Sequence, residues 1–261
     1  ANIGQVKGEH VVLDGPGESQ QRRVPVRGAL PEEVADGSQD VVLLAVKTYD
    51  TDATMPFVRR VLAPGGVCFS VQNGVANPKR LSEALGEGRA YQGATSFAGS
   101  AQEAGRVLMT GAGTTWVPAD MPHLESLVAW LAEAGLNPVV IADTHHLSWH
   151  KAAVGTSGTV CVILETPIGQ LVRNENVRAI VRAASTEAVA VANACGVPLD
   201  VEEVLAQQAR IHRSLTVEAR ASILEDFLAG RATELDDREG AIVRLGEEMG
   251  VPVPVLTTLY R

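Results

Sequence analysis

Lys151, in Leu147-Ser-Trp-His-Lys151, is the residue whose type and neighbours best suit it to move a proton. An amine placed among apolar groups such as Trp149 and Val154 loses solvation of its charged form. Its pKa then falls toward the range of a useful general acid. The competing reading is a helix lysine that snorkels to water. Lys47 and Asn73 each follow an apolar run, Asp40–Val46 and Val67–Val71. A cation at such a strand end can neutralise a phosphate, and an amide can bridge two ligands because it both donates and accepts. Taken singly, Lys47 also reads as a solvated loop lysine and Asn73-Gly74 as a plain turn. Further on, Ser222 could donate to a carboxylate, and Arg231, Thr233 and Glu234 follow Gly230 in a dense polar stretch. A helix capped at Thr233, with Glu234, Asp236 and Asp237 favouring its dipole, explains that stretch equally well. His146 and His150 are four apart and could share a helix face as zinc ligands do. No HExxH pattern or nearby cysteine accompanies them, so no metal site is expected.

These groups need rigid elements to hold them. Asp40–Val46 is the strongest strand, apolar on both faces as a parallel strand covered by helices would be. Glu9–Leu13 and Arg22–Val26 flank a turn-rich Asp14–Glu18 and read as a β-hairpin. Pro31-Glu-Glu-Val34 gives a short helical start. A helix from Thr51 to Val61 stops at Ala63-Pro-Gly-Gly66, and Val67–Val71 is the next buried strand. Asn77 as N-cap and Pro78 at the first helical position open a helix to Leu85. Arg89–Ala98 reads as a strand, with Arg106–Met109 and Thr114–Val117 as antiparallel additions to the same sheet. A helix over 124–134 and a strand over 138–141 complete an alternation that marks a doubly wound parallel sheet. Beyond His145 the period turns helical. Val177, Ile180, Val181 and Ala184 lead to a stop at Cys195-Gly196-Val-Pro198, and further helices are expected over 201–211, 217–228 and 235–249. Lys151 sits at the change of regime, on what reads as the first turn of a helix. The expected organisation is a domain over residues 1–142 and a helical one over 143–261.

Bulk composition narrows the classes. The 261 residues are 46% hydrophobic and 20% charged, which is globular, and the net charge of −9 argues against a nucleic-acid surface. Three scattered cysteines, Cys68, Cys161 and Cys195, suggest reduced thiols in a reducing compartment. No apolar run approaches the roughly 18 residues of a membrane helix. The expectation is a cytoplasmic enzyme without membrane or nucleic-acid partners. The chain opens without an initiator Met or a first strand and ends within a helical pattern, so both ends read as cut.

With these residues laid out, the chain resembles the ketopantoate reductase family. The segments that carry the likeness are Leu44-Ala-Val-Lys47-Thr-Tyr-Asp50, Gln72-Asn73-Gly74, Gly93-Ala-Thr95 and Trp149-His-Lys151. They continue with Glu187, Ala192-Asn-Ala-Cys-Gly196-Val-Pro-Leu199, Ser222-Ile-Leu-Glu-Asp226 and Gly230-Arg-Ala-Thr-Glu234-Leu-Asp236. The resemblance implies a Rossmann-type domain that binds NADPH, and a helical C-terminal domain like that of 6-phosphogluconate dehydrogenase. It implies hydride transfer to the 2-oxo carbon of ketopantoate, a small-molecule 2-oxo acid, with Lys151 protonating the alkoxide. Asn73 falls on the asparagine at the cofactor–substrate boundary, Lys47 on the cofactor-side lysine and Gly99 near the cofactor loop. Ser222 matches a substrate-binding serine, and Glu234 a glutamate that contacts cofactor and orders the site. A homodimer is compatible with the family.

Two departures bear on this. The family's opening strand with its GxGxxG loop, and the basic residue that selects the 2′-phosphate, have no counterpart here and are expected upstream of Ala1. Where the family often carries asparagines four and eight residues after the lysine, and another before a later glycine, this chain has Gly155, Thr159 and Ile168. Gly155 and Thr159 would share the lysine's helix face and belong to the substrate side. Losing those amides relaxes discrimination, which brings in a second reading: a D-2-hydroxy-acid dehydrogenase acting on a more apolar branched 2-oxo acid. A third, of another class, is a non-catalytic nucleotide-sensing protein.

Overall fold

A computed structural model describes residues 10–15 and 21–261. They fall into two compact units. The first comprises Ala1–Ala45, Asp52–Val71 and Leu81–Thr144; the second comprises Val46–Thr51, Gln72–Arg80 and His145–Arg261.

In the first unit, β1 (His10–Asp14) and β2 (Arg22–Pro25) pair antiparallel as the hairpin pattern predicts, while residues 16–20 of its turn lie outside the described residues. Then come β3 (Gln39–Leu44), α1 (Thr51–Val61), β4 (Leu62–Ser70), α2 (Asn77–Leu85) and β5 (Ala90–Gln92). β3, β4 and β5 form a parallel sheet in that order. β6 (Ala94–Thr95), β7 (Ala98–Glu103), β8 (Arg106–Gly111), β9 (Thr115–Pro118), α3 (Leu124–Glu133) and β10 (Pro138–Ile141) follow. β9 and β10 are parallel, β6 joins β9 antiparallel, and β7 and β8 pair with each other beside β1. Parallel strands alternating with helices make this a Rossmann-like unit. Val67, Phe69, Val117, Met121, Leu127 and Leu131 form its core.

Three expectations need correction here. β3 is not covered on both faces: Leu43 is 49% exposed while Leu44, on the opposite face, is buried, and β3 has a sheet neighbour only in β4 among the described residues. The single strand over 89–98 is broken at Gly93, where a Cβ would come within 2.5 Å of both the Phe69 ring and the Trp116 carbonyl oxygen. The chain turns away there, so β5 and β6 belong to different sheets. For the same reason the additions over 106–117 are not one extension of the parallel sheet but parts of two others.

The second unit is built from helices: α4 (Thr144–Val154), α5 (Ser157–Ile163), α6 (Ile168–Leu171), α7 (Glu175–Ala194), α8 (Val201–Ser214), α9 (Ser222–Leu228), α10 (Ala241–Met249) and α11 (Pro254–Tyr260). Asn174 caps α7 by accepting from Asn176 N and Val177 N, and Asp200 caps α8 by accepting from Glu203 N. α7 is the spine. Its Ala184, Ala188, Val191 and Ala192 are buried with Trp149, Val204, Ile242 and Leu256. Both carboxylate oxygens of Glu187 accept from the first turn of α11, at Val255 N (2.9 Å) and Leu256 N (2.8 Å), where the helix has orphan donors. No helix among the described residues is long and apolar enough to cross a membrane.

The helices expected over 217–228 and 235–249 are shorter than their apolar periodicity. The first begins only at Ser222, and the second is replaced over Asp236–Gly240 by a π turn, in which Gly240 N donates to Leu235 O at 3.0 Å. Lys151 lies in the last turn of α4, not the first turn of a helix.

Candidate functional site

The 46–51 segment leaves the end of β3, and the 72–80 segment leaves the end of β4. Both pack in the second unit, with α4 and the stretch that follows α9. Two charge-bearing clusters result. In one, Lys151 Nζ donates to Asn73 Oδ1 at 3.0 Å. Asn73 is itself held, because the buried Asn77 donates from Nδ2 to its carbonyl oxygen at 2.6 Å. Asn77, expected as a cap, thus also fixes the loop that carries Asn73.

Lys151 retains solvent access, yet protein fills much of the space around its ammonium, and a group can have both. That burial pushes its pKa down to about 8 from 10.5. The Arg238 charge adds to the fall and the Glu234 charge opposes it. The C-terminal end of α4 favours a cation, so burial outweighs the helix dipole here.

In the second cluster, Lys47 Nζ lies 2.5 Å from Asp226 Oδ2 and 3.8 Å from Glu234 Oε2. Asp226, 8% exposed in its side chain, also accepts from Arg231 Nε at 2.9 Å. Glu234 is buried and accepts from Thr48 N at 3.1 Å. Arg80 Nη1 donates to the Thr48 carbonyl at 3.1 Å and to Asp237 Oδ1 at 3.2 Å. Thr233 starts no helix. The stretch from Arg231 to Leu235 is a loop whose one acid, Glu234, faces Lys47.

The structure therefore brings Lys47 together with Glu234, and Asn73 with Lys151. Ser222 is exposed at the first residue of α9, and its neighbour Ile223 packs on Gly158 of α5. Gly155 and Thr159 do not continue the lysine's helix. α4 ends at Val154, where Gly155 N still completes the helical ladder to Lys151 O at 3.0 Å but also reaches Ala152 O at 3.1 Å, a tighter turn, and α5 starts at Ser157. The break is pinned from inside, since Gln208 Nε2 donates to Val154 O and to Ser185 Oγ, which also bonds Thr156. Thr159 is buried, and its hydroxyl has no hydrogen-bond partner among the described residues. Gly99 belongs to the first unit, on β7 opposite Met109. His146 Nε2 lies 3.0 Å from the Pro198 carbonyl oxygen, and no metal-ligating group of three exists among the described residues. Sequence reasoning missed Asp226, Arg80 and Arg238 as site groups. For Asp226 the signal was present, an acid set between the apolar pairs Ile223-Leu224 and Phe227-Leu228; for the arginines there was none.

A parallel α/β unit, and a helical unit that offers a lysine of lowered pKa to an amide, together define the class: a two-domain oxidoreductase. Comparison with known proteins makes this specific. The family described as "Ketopantoate reductase PanE/ApbA" matches residues 2–120, and "Ketopantoate reductase PanE/ApbA C terminal" matches residues 143–261. The chain belongs to the ketopantoate reductase family. It is 30% identical to the 2-dehydropantoate 2-reductase of Archaeoglobus fulgidus over 84% of this chain and 74% of that one. The enzyme of the same description from Mycobacterium tuberculosis is 29% identical over 88% and 76%. Among solved structures, a PanE/ApbA family ketopantoate reductase from Ralstonia eutropha superimposes with a TM-score of 0.87 at 28% identity, covering 99% of this chain and 85% of that one. A D-mandelate dehydrogenase with NADH and anilino(oxo)acetate gives the same TM-score at 23% identity, over 99% and 85%, a likeness of fold.

Proposed function

We propose that this protein reduces ketopantoate to pantoate with NADPH, as a 2-dehydropantoate 2-reductase, and that Lys151 is the proton donor. The observation that carries the reading is the Lys151–Asn73 pair: an amine brought to about 8 and aimed by an amide at 3.0 Å. A general acid is most effective when its pKa lies near the working pH. Lysine and amide side chains move protons and not electrons, so this donor set fits a site whose reducing equivalent comes from a bound hydride donor. The family is one of nicotinamide-dependent reductases; NADPH in place of NADH is our own reading.

NADPH, when bound, supplies the hydride that reaches the 2-oxo carbon. Lys151 holds the carbonyl oxygen and gives it a proton as the alkoxide forms, so a 2-oxo acid takes up one hydride and one proton to become a 2-hydroxy acid. Asn73 keeps the ammonium pointed at that oxygen. Lys47, Gly99 and Glu234 are assigned to the cofactor, with Glu234 ordering Lys47 and the Thr48 backbone. Asn73, Ser222, Gly155 and Thr159 are assigned to the substrate side. Cysteines without a disulfide support a cytoplasmic location, and exposed Ile163 with the adjoining Leu164 at the end of α5, beside exposed Phe227 and Leu228 of α9, which packs on α5, support a homodimer. The D-mandelate dehydrogenase likeness is one of fold and does not favour a different substrate.

The test is steady-state kinetics with NADPH and ketopantoate. Lys151→Ala should lower kcat about 100-fold or more, with NADPH affinity in a fluorescence titration unchanged. In the parent enzyme, kcat should fall as pH rises through about 8, where Lys151 loses its proton. Unchanged turnover in Lys151→Ala removes that residue from the role.

A further inference from the structure

The turn after α4 holds a cation that the reading above leaves without a task. Arg238 sits on the π turn Asp236–Gly240, a local distortion that often marks functional positions because it re-aims one side chain out of the helical register. Its side chain is 20% exposed. Nη2 donates to the Gly155 carbonyl oxygen at 3.1 Å, and Gly155 is bonded in turn to the Lys151 carbonyl. The guanidinium thus lies one helical turn from the backbone of Lys151.

Two glycines make room for it. A Cβ built on Gly155 would stand 3.4 Å from Nη2, and one built on Gly158 would stand 3.5 Å from Nη2 and 3.6 Å from Nη1. Against the guanidinium a bare methyl would only touch, although it would stand 3.1 Å from Lys151 O at residue 155 and 3.2 Å from Ile223 Cγ2 at residue 158. Anything longer at residue 155, a carboxamide included, would compete for the volume the guanidinium takes. The space where the family resemblance expects an amide is therefore filled from another element by a cation.

That cation is only partly engaged. Glu239 Oε1 is 3.5 Å from Nη2, and among the described residues no hydrogen bond is made by Nε or Nη1. Glu239 is 2% exposed and its Oε2 has no hydrogen-bond partner, so it holds the guanidinium from one side without closing the fork. A mostly buried guanidinium with free donors is suited to a planar carboxylate, which it binds through two parallel N–H···O bonds.

We propose that Arg238 is the group that binds the carboxylate of the 2-oxo acid, in place of the amides that Gly155 and Thr159 lack. The inference rests on the reductase reading. It explains how a chain without those amides keeps an acid substrate: a charged fork supplies affinity for the carboxylate that small side chains cannot. Arg238 also acts on Lys151 electrostatically, its charge adding to burial in lowering the lysine's pKa.

The experiment compares ketopantoate with its neutral lactone, which keeps the carbonyl and loses the carboxylate. It uses the full-length enzyme, saturating NADPH, and the variants Arg238→Gln and Arg238→Lys. The parent should prefer the acid. Arg238→Gln should lower kcat/KM for the acid about 100-fold, mostly through KM, and for the lactone far less, so that the preference collapses. Arg238→Lys keeps the charge and should recover part of the preference, which also covers the case in which the glutamine variant does not fold. The limb of the pH profile set by Lys151 should move upward in Arg238→Gln. Equal losses on acid and lactone mean that Arg238 only supports the fold, and an undiminished preference for the acid means that it binds no carboxylate; either overturns the inference. A parent enzyme inactive on ketopantoate sinks the function itself, a failure seen before any variant is made.

Discussion

Lys151 shows how a single residue can be set against the stability of the chain that carries it. Its folded value of about 8 lies below the ordinary 10.5. Between these values the folded chain has released a proton that the unfolded chain keeps, so stability rises with pH across that window. Below pH 8 both states hold the proton and the folded state bears the whole cost of the crowded charge. Replacing Lys151 by Met should therefore raise the urea midpoint at pH 7, and the gap to the parent should narrow as pH approaches 10.5. A variant less stable than the parent at pH 7 would show that the Asn73 hydrogen bond outweighs the crowding. Such a trade between stability and activity is common where a site needs a destabilised charge. The lysine, the asparagine and the glutamate could be picked from sequence because their types are chemical and their segments resemble the family. Arg238 and Arg80 could not be picked, since an arginine in a charged stretch looks like any solvated arginine until its neighbours are known.

At the scale of elements, apolar alternation located most strands and helices, and the misses share a cause. The stretch 89–98 has the composition of one strand, but Gly93 sits against Phe69 and the Trp116 carbonyl. Gly93→Ala would force a methyl into both, and should destabilise the protein by about 1–3 kcal/mol in urea titration, since overpacking a filled core strains backbone as well as side chains. A cost near zero would mean that the β5–β6 break relaxes freely. The helices over 217–228 and 235–249 were overextended for a related reason. Helical periodicity persists through residues that leave the α register: α9 starts only at Ser222, and over Asp236–Gly240 a π turn takes over, where Asp236 accepts from Arg244 Nη1 and from the Tyr260 hydroxyl. The break at Gly155 is likewise decided by distant partners, Gln208 on α8 and Ser185 on α7.

At the scale of the whole molecule, a net charge of −9 does not bar an anionic ligand, because binding depends on the few cations near the ligand. Lys47, Lys151, Arg80, Arg231 and Arg238 all belong to the second unit. Ligand binding should be visible as stability. For one site, NADPH at 100 times its Kd should add about 2.7 kcal/mol to unfolding in urea, with no such gain from an equal concentration of inorganic phosphate. Identical midpoints with and without NADPH would contradict the cofactor assignment.

The sequence by itself determined the class of each half, because hydrophobic period is a local property: short apolar runs between breakers for the parallel strands, three-to-four spacing for the helices. It also determined the chemical inventory, a lysine, amides and carboxylates in family-like segments. Only the tertiary structure decided which of these meet. Asn73 and Lys151 are 78 residues apart, and Lys47 and Asp226 are 179 apart. Whether an amine titrates at 8 or at 10.5 depends on the density of atoms around it, and only the folded chain sets that density.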